Sequence, residues 1–159
     1  MNPSPAAWLA RCMSQSILRE CARCGAHNRV PGERLAEAGR CGGCKAELPP
    51  VAEPLDVDAA GFDAIVASAA VPVLVDFWAP WCPPCRLAAP GVKKTAARMS
   101  GRAVVLKVDT DQNPELAARF EVRGIPSFVV LKGGRIVSHQ AGWVGAGELQ
   151  RRLEEAVSA

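Results

Sequence analysis

Six of the seven cysteines in this 159-residue chain form three Cys-x-x-Cys pairs, and their spacing separates them into two kinds. Cys82 and Cys85 form a single pair in the middle of the chain, with two prolines between them. The other two pairs follow each other near the start: Cys21, Cys24, Cys41 and Cys44. A reactive dithiol needs one thiolate at a helix start, whereas a structural zinc needs four thiolates in a tetrahedron. The sequence therefore predicts a redox site and a separate metal site.

The single pair lies between an apolar run that predicts a strand and a stretch that predicts a helix. Residues three apart at a helix start share one face, so Cys82 and Cys85 are within disulfide reach. Unpaired N–H groups and the helix macrodipole stabilise a thiolate there, which predicts Cys82 as the nucleophile. Cys85, less accessible, would resolve the mixed disulfide. The alternative is a structural disulfide or half of a metal site, but the prolines lack the N–H groups that a zinc knuckle uses.

Sixteen residues separate the two N-terminal pairs, as expected for two knuckles that bind one Zn²⁺ through Cys21, Cys24, Cys41 and Cys44. Three glycines are expected to provide left-handed turns: Gly25, Gly42 and Gly43. His27 is expected at the surface, since four cysteines already satisfy the ion. We expect the zinc to be structural. The alternatives are further redox dithiols, or a zinc that leaves on oxidation and acts as a redox sensor.

Length and proline content predict the domain organisation. With 49% hydrophobic residues, the chain can bury one core of about 100 residues beside an appendage too small to fold unaided. Three prolines within residues 47–54 predict a connector without regular hydrogen bonding. The predicted order is a flexible extension at 1–20, a zinc ribbon at 21–46, a Pro-rich linker at 47–54 and an α/β domain at 55–159.

The N-terminal extension carries several residues near one helical face: Trp8, Leu9, Cys12, Met13, Ser16 and Ile17. That stripe is compatible with a docking helix. We expect a flexible extension, or a translation start at Met13, and an unpaired thiol at Cys12.

Charge argues against a nucleic-acid partner. The net charge of +3 arises in residues 1–50, and four zinc-bound thiolates would bring that segment close to neutral. No stretch approaches the roughly 18 apolar residues of a membrane span, and no export signal is recognisable. Paired Cys-x-x-Cys motifs without an export signal favour metal binding or catalysis in a cytoplasmic protein without membrane association.

Beyond residue 54, helix and strand patterns alternate. The prediction is a helix at 59–69 with Asp58 as N-cap, a strand at 72–78, a helix at 83–99 interrupted by Pro90, a strand at 103–109, a short helix from 114 to 120 with Asn113 as N-cap, a hairpin of 126–131 and 135–139, and a last helix at 148–157. This order predicts an α/β domain with a mixed sheet and helices on both faces.

Residues 77–85, Phe-Trp-Ala-Pro-Trp-Cys-Pro-Pro-Cys, resemble the thioredoxin signature, and other marks of that family surround them in order: Asp76, Pro90, Lys107, Ile125, Pro126, Ser127 and Gly142. The resemblance covers residues 55–159, and the ribbon is similar to that of the thioredoxin 2 subgroup. It implies a thioredoxin fold and a protein-disulfide reductase that reduces target proteins and is recharged by an NADPH-dependent thioredoxin reductase. We expect a monomer with no organic cofactor of its own.

The same resemblance implies a docking groove for the substrate chain. Pro126 would be a cis-proline beside the active site, which leaves the backbone of Ile125 free to pair with substrate. The other residues expected to flank the groove are Trp81, Pro84 and Gly142.

By the resemblance, Asp76 would be the buried carboxylate that handles a proton for Cys85, and Lys107 would be the neighbour that tunes it. Asp76 is an acid within an apolar strand, and burial of such a carboxylate suits proton transfer. The alternative is a charge at a strand end that faces water.

Pro83 departs from the family, which usually has Gly-Pro between the cysteines. Because Pro83 has no N–H, we expect the Cys82 thiolate to be less stabilised than in a Gly-Pro version. The change also leaves open the possibility that the protein is a disulfide oxidase or isomerase. A third alternative is a binding module in which the ribbon holds a partner and the α/β domain is a scaffold.

Overall fold

A computed structural model describes residues 16–159, so the expectations for Trp8, Leu9, Cys12 and Met13 lie outside it. Its strands are β1 (Ser16–Glu20), β2 (His27–Pro31), β3 (Gly39–Arg40), β4 (Glu47–Leu48), β5 (Leu55–Asp56), β6 (Val73–Trp78), β7 (Val104–Asp109), β8 (Ser127–Lys132) and β9 (Arg135–Ala141). Its helices are α1 (Ala59–Ser68), α2 (Pro83–Arg98), α3 (Pro114–Arg119) and α4 (Ala146–Ser158), with a 3₁₀ turn at Gly32–Arg34. None of these helices is long and apolar enough to cross a membrane.

A five-stranded mixed sheet, in the order β5-β7-β6-β8-β9, forms the centre of the α/β domain and confirms the predicted fold class. Strands β5, β7 and β6 are parallel, while β8 and β9 are antiparallel to their neighbours. Alternate side chains of β6 enter two cores: Val73, Val75 and Phe77 on one face, Leu74 on the other. The parallel strands end at one edge, and the chain reaches Cys82 from that edge.

The predicted helix α1 begins at its expected cap, because Asp58 Oδ1 accepts a hydrogen bond from the Gly61 N–H at 2.7 Å. The predicted interruption of α2 at Pro90 is wrong, since the helix continues to Arg98. Ala88 and Val92 on either side of Pro90 are buried in the core against the sheet. Packing of these two side chains stabilises the helix across the proline.

The predicted flexibility of residues 16–20 is wrong, because this segment is strand β1 of an antiparallel hairpin with β2. Ile17 pairs with Val30, and both pack against the main core of the α/β domain. A second hairpin, β3–β4, uses Glu47 and Leu48 from the predicted linker. The two hairpins therefore extend beyond Cys21 and Cys44, and the domain division itself stays a prediction.

The ribbon packs on the end of the sheet opposite Cys82. Leu35, which has no exposed surface, joins Phe62 and Ile65 of α1 in one core. The Val51 N–H donates to the Leu35 carbonyl oxygen at 2.9 Å. Gly32 fits against α1 so closely that an added Cβ would lie 2.9 Å from the Ser68 hydroxyl. Because α1 ends just before β6 begins, this contact lies at the start of the parallel strands.

Candidate redox site and metal centre

The end of β6 and the start of α2 position the single cysteine pair. Cys82 is the N-cap residue of α2, and its Sγ accepts the Cys85 N–H at 3.2 Å. The two cysteines form a disulfide with Cα atoms 5.3 Å apart. Pro83 and Pro84 occupy the first two helical positions, where a missing N–H costs little because those donors have no partner within the helix.

A groove of about 430 Å³ opens beside Cys82 and is lined also by Trp81, Pro84 and Ile125. Exposed fractions of 2% for Cys82 and 5% for Cys85 contradict the expectation that Cys85 is the less accessible residue. The two cysteines differ instead in their access to the groove, because Cys82 belongs to its lining and Cys85 does not.

Trp81 forms an exposed wall of this groove, with 64% of its surface accessible. Its indole N–H donates to Asp111 Oδ2 at 2.8 Å, which fixes the ring orientation. Asp111 was missed by the sequence reasoning. The signal for it was weak, an acid two residues beyond β7 at the same sheet edge.

The Ile125–Pro126 peptide bond is cis, as the resemblance predicted. Cys82 Sγ lies 3.8 Å from the Ile125 carbonyl oxygen. The Gly142 N–H donates to the Pro126 carbonyl oxygen at 2.9 Å. Three of the predicted groove residues, Trp81, Pro84 and Ile125, therefore line the groove with Cys82, and the other two, Pro126 and Gly142, are bonded to each other next to Ile125.

Asp76 is buried in β6, with 3% of its surface exposed. Burial raises the pKa of its carboxyl from 3.8 to about 7, although the nearby charge of Lys107 lowers it. Strand alternation places Asp76 on the same face as Leu74, which α2 covers. The alternative of an acid in water at a strand end is wrong.

Lys107 lies beside Asp76 in register on β7. Among the ion pairs of residues 16–159, none joins these two groups. The Lys107 ammonium instead lies 4.1 Å from the centroid of the Trp78 ring, as a cation–π contact. Lys107 therefore acts on Asp76 through its charge rather than through a direct bond.

The four ribbon cysteines meet as predicted, with all four Sγ atoms within 4.8 Å of one another. Cys21 and Cys44 are 3.7 Å apart at sulfur, and Cys24 and Cys41 are 3.6 Å apart. A tetrahedral zinc with Zn–S bonds of about 2.3 Å requires sulfur separations of about 3.8 Å. The donor set and its dimensions fit one zinc ion.

The two knuckles repeat the same backbone bonds. The Cys21 N–H donates to Ala26 O at 2.9 Å, and the Cys41 N–H donates to Ala46 O at 2.8 Å. The left-handed residue lies four positions after the first cysteine of each knuckle, at Gly25 and Lys45. The expected left-handed turns at Gly42 and Gly43 are therefore wrong, because those residues precede that position; the Gly43 N–H donates to Cys41 Sγ at 3.3 Å.

Asn28 joins the two knuckles, a role that the cysteine spacing did not predict. Its Nδ2 donates to Ala26 O at 3.0 Å and to Cys41 Sγ at 3.6 Å, and its Oδ1 accepts the Gly42 N–H at 2.8 Å. The pKa of the Cys41 thiol is lowered to about 6, mainly by the Cys44 N–H and to a smaller extent by Gly43 and Asn28. This surrounding favours a thiolate, which is the form that binds metal.

Comparison with known families decides the assignment of the fold. Residues 53–155 match the family model of thioredoxin, and residues 20–46 match the model described as thioredoxin 2, N-terminal. The chain belongs to the thioredoxin family. It is a thiol-disulfide oxidoreductase of the protein-disulfide reductase type, and its Cys82–Cys85 pair occupies the active-site position of the family.

Individual relatives agree with this assignment. Thioredoxin C-3 of Corynebacterium nephridii is 39% identical over 135 residues, which cover 85% of this chain and 92% of that protein. The bifunctional thioredoxin reductase/thioredoxin of Mycobacterium leprae is 41% identical over 103 residues, or 65% of this chain and 22% of that protein. A solved mutant thioredoxin from Halobacterium salinarum superposes with a TM-score of 0.62 at 33% identity, covering 67% of this chain and 92% of that one.

Proposed function

We propose that Cys82 and Cys85 carry out the disulfide reduction, with Cys82 as nucleophile and Cys85 as resolving thiol. The observation that carries this proposal is the position of Cys82 at the N-cap of α2 with its side chain in the groove. The helix N-terminus and the Cys85 N–H both favour a sulfur anion at Cys82.

Two exchanges make up the reaction. The Cys82 thiolate of the reduced protein attacks one sulfur of the substrate disulfide, whose S–S bond breaks as a mixed disulfide forms and the leaving thiolate takes a proton. The Cys85 thiolate then attacks Cys82 Sγ and expels the second substrate thiolate. The protein is left with the Cys82–Cys85 disulfide, and two electrons have passed to the substrate.

Asp76 is the proposed acceptor of the Cys85 proton, because Cys85 must be a thiolate to attack. A carboxyl with a pKa of about 7 can take and return a proton near neutral pH. Its face of β6 is the one covered by α2, which carries Cys85 in its first turn. Lys107 favours the charged form of this carboxyl and so limits the rise of its pKa.

The groove is the proposed binding site for an extended segment of the substrate protein. Its walls include Trp81, Pro84 and Ile125, and Pro126 and Gly142 are bonded to each other next to Ile125. The groove lining exposes more apolar than polar surface, which suits loosely specific contact with many polypeptides.

Zinc is the proposed ion of the ribbon, held by Cys21, Cys24, Cys41 and Cys44. When bound, it crosslinks the two knuckles and compensates part of the thiolate charge. We propose a structural role, because Cys21, Cys41 and Cys44 lie in a cluster separate from that of Cys82 and Cys85, and the ribbon packs into the domain core.

An NADPH-dependent thioredoxin reductase is the proposed electron donor, and disulfide-containing proteins are the proposed acceptors. The fused reductase and thioredoxin of Mycobacterium leprae supports this pairing. The proposed compartment is the cytoplasm, where a reducing environment keeps metal-binding thiols free. The proposed state is a monomer.

The test is insulin disulfide reduction with NADPH and a thioredoxin reductase. The wild-type chain should sustain NADPH oxidation, and Cys82→Ser should abolish it because the groove lining found within residues 16–159 contains no second thiol. Turnover that persists in Cys82→Ser would exclude Cys82 as the nucleophile.

Cys85→Ser is the matched variant. It keeps the nucleophile but cannot resolve the intermediate, so it should accumulate a mixed disulfide with insulin that mass spectrometry detects. A mixed disulfide found on Cys85 in Cys82→Ser, and none on Cys82 in Cys85→Ser, would reverse the two roles.

A further inference from the structure

A glycine in the interior of α2 lies under a tryptophan from a distant loop. Gly91 follows Pro90 directly, and both residues disfavour a helix. A Cβ built on Gly91 would lie 2.3 Å from Cη2 and 2.5 Å from Cζ2 of Trp143. Only a glycine leaves space for this ring. Gly91 therefore forms a notch in α2, and the Trp143 ring occupies it.

Two further contacts hold the Trp143 loop to the body of the domain. The Trp143 ring packs against Phe128 with centroids 5.9 Å apart. The buried Thr95 hydroxyl donates to Gly91 O at 3.0 Å and lies 3.4 Å from Ala146 O, where α4 begins. The loop is therefore fixed to α2 both at its middle and at its end.

The first residue of this loop belongs to the groove side of the domain. Ala141 at the end of β9 pairs with Ser127 of β8. The next residue, Gly142, is exposed and donates its N–H to Pro126 O, directly after Ile125 in the groove lining. Only Gly142 separates the pairing of Ala141 from the ring of Trp143, so the ring constrains the backbone next to the groove lining.

We propose that Trp143, seated on Gly91, is a positioning residue for polypeptide substrates. It fixes the backbone of Gly142 beside Pro126, so that the wall of the groove at Ile125 is in place before a protein segment docks. This inference rests on the proposed function, in which an extended segment of the substrate occupies the groove. A small disulfide needs only the Cys82 sulfur and not this wall.

The first experiment compares two substrates of the reduced protein: insulin and dithiobis-nitrobenzoate, a small aromatic disulfide. Trp143→Ala should raise the KM for insulin roughly five- to tenfold while kcat changes less than about twofold. The rate with dithiobis-nitrobenzoate should stay within about twofold of wild type, because the reacting sulfurs are unchanged. Trp143→Phe, which keeps a ring in the notch, should recover part of the insulin KM.

A double-mutant cycle tests the notch itself. In the wild-type background, Gly91→Ala should displace the indole and therefore raise the insulin KM and lower Tm. This fall in Tm is expected even though alanine favours a helix over glycine. In the Trp143→Ala background the same substitution has no ring to displace. It should then leave the insulin KM unchanged and raise Tm, so that its effect on Tm reverses sign between the two backgrounds.

The outcomes separate this inference from the function on which it rests. Wild-type protein that reduces dithiobis-nitrobenzoate but not insulin overturns the proposed function and the inference with it. Normal wild-type turnover of insulin, with a lower Tm but an unchanged insulin KM in Trp143→Ala, overturns the inference alone. An effect of Gly91→Ala that is equal in both backgrounds also overturns it.

Discussion

In the ribbon, each Cys-x-x-Cys lies on a tight turn between two short strands, whereas Cys82 and Cys85 lie where a strand gives way to a helix. The ribbon turns direct backbone N–H groups toward sulfur, and two such turns meet so that four sulfurs face one point. At the helix start, two prolines remove the nearest donors and one N–H reaches the Cys82 sulfur. The same spacing thus gives a ligand set in one region and a reactive couple in the other.

The surroundings of each pair explain the difference. In the proposed structural zinc site, a ribbon thiolate would bind the ion and need no access to another protein, so it can be enclosed by the second knuckle. In the proposed reaction the Cys82 thiolate meets a sulfur of another protein, which agrees with its place in the lining of an open groove. Surroundings, rather than the spacing of the cysteines, decide which chemistry each pair can perform.

The largest expected effect comes from removal of a ribbon ligand. Cys41→Ser should reduce the metal content from about one ion per chain to near zero, because structural zinc contributes roughly 10–16 kcal/mol in small domains. Elemental analysis measures the metal, and circular dichroism measures the accompanying fall in Tm. Cys82→Ser is the matched control and should keep the full metal content. Loss of metal in Cys82→Ser would contradict the separation of the two regions.

A smaller effect, an increase in stability rather than a loss, is expected when Asp76 is replaced. Its folded-state pKa of about 7 lies above the ordinary 3.8, so the folded protein binds the proton more tightly and stability falls as pH rises from about 4 to 7. Asp76→Asn should therefore add up to about 4 kcal/mol of unfolding free energy at pH 8 and little near pH 4.

Urea unfolding at both pH values measures this difference. The same variant should slow the reduction of insulin, because Cys85 loses its proton acceptor. Asp111→Asn, which changes an exposed acid just beyond the end of β7, is the control for stability. A stability gain of Asp76→Asn that is equal at pH 4 and pH 8 would contradict the raised pKa.

The bond between the two knuckles gives the next effect. Asn28→Ala removes the bonds to Cys41 Sγ and to the Gly42 N–H, and groups of this kind contribute about 10- to 100-fold to metal affinity. Competition with a chromophoric chelator measures the loss. His27→Ala, at the exposed neighbouring position, should leave the affinity unchanged. Equal losses in both variants would contradict the assigned role of Asn28.

The smallest effect is expected between the redox cysteines. An N-cap side chain accepts from the second or third helical N–H, and Pro83 is at the first position. Pro83→Gly should therefore lower the Cys82 pKa by less than about one unit, whereas Pro84→Ala, which restores the second N–H, should lower it more. Thiolate absorbance titration measures both. The reverse order would show that the donor lost at residue 83 dominates.

Local patterns predicted the elements that carry the redox site. Asp58 caps α1 as expected, and the strand and helix on either side of Cys82 lie within a residue or two of their predicted bounds. Asn113 shows where such reasoning ends. It occupies the predicted N-cap of α3, but its side chain does not cap that helix. Its Oδ1 accepts the Ala59 N–H, and its Nδ2 donates to Asp109 O. Propensity gives the position, but the partner comes from another element.

By itself, the sequence determined which cysteines act together and that an acid would be buried in β6, because fixed spacing on a turn or helix sets local geometry and apolar neighbours imply burial. Only the tertiary structure decided that Asn28 crosslinks the knuckles, that Leu35 joins the core at the far end of the sheet, and that Trp143 occupies the notch at Gly91. These contacts join residues far apart in the chain. Their physical basis is close packing, which depends on shapes that meet only after the elements have assembled.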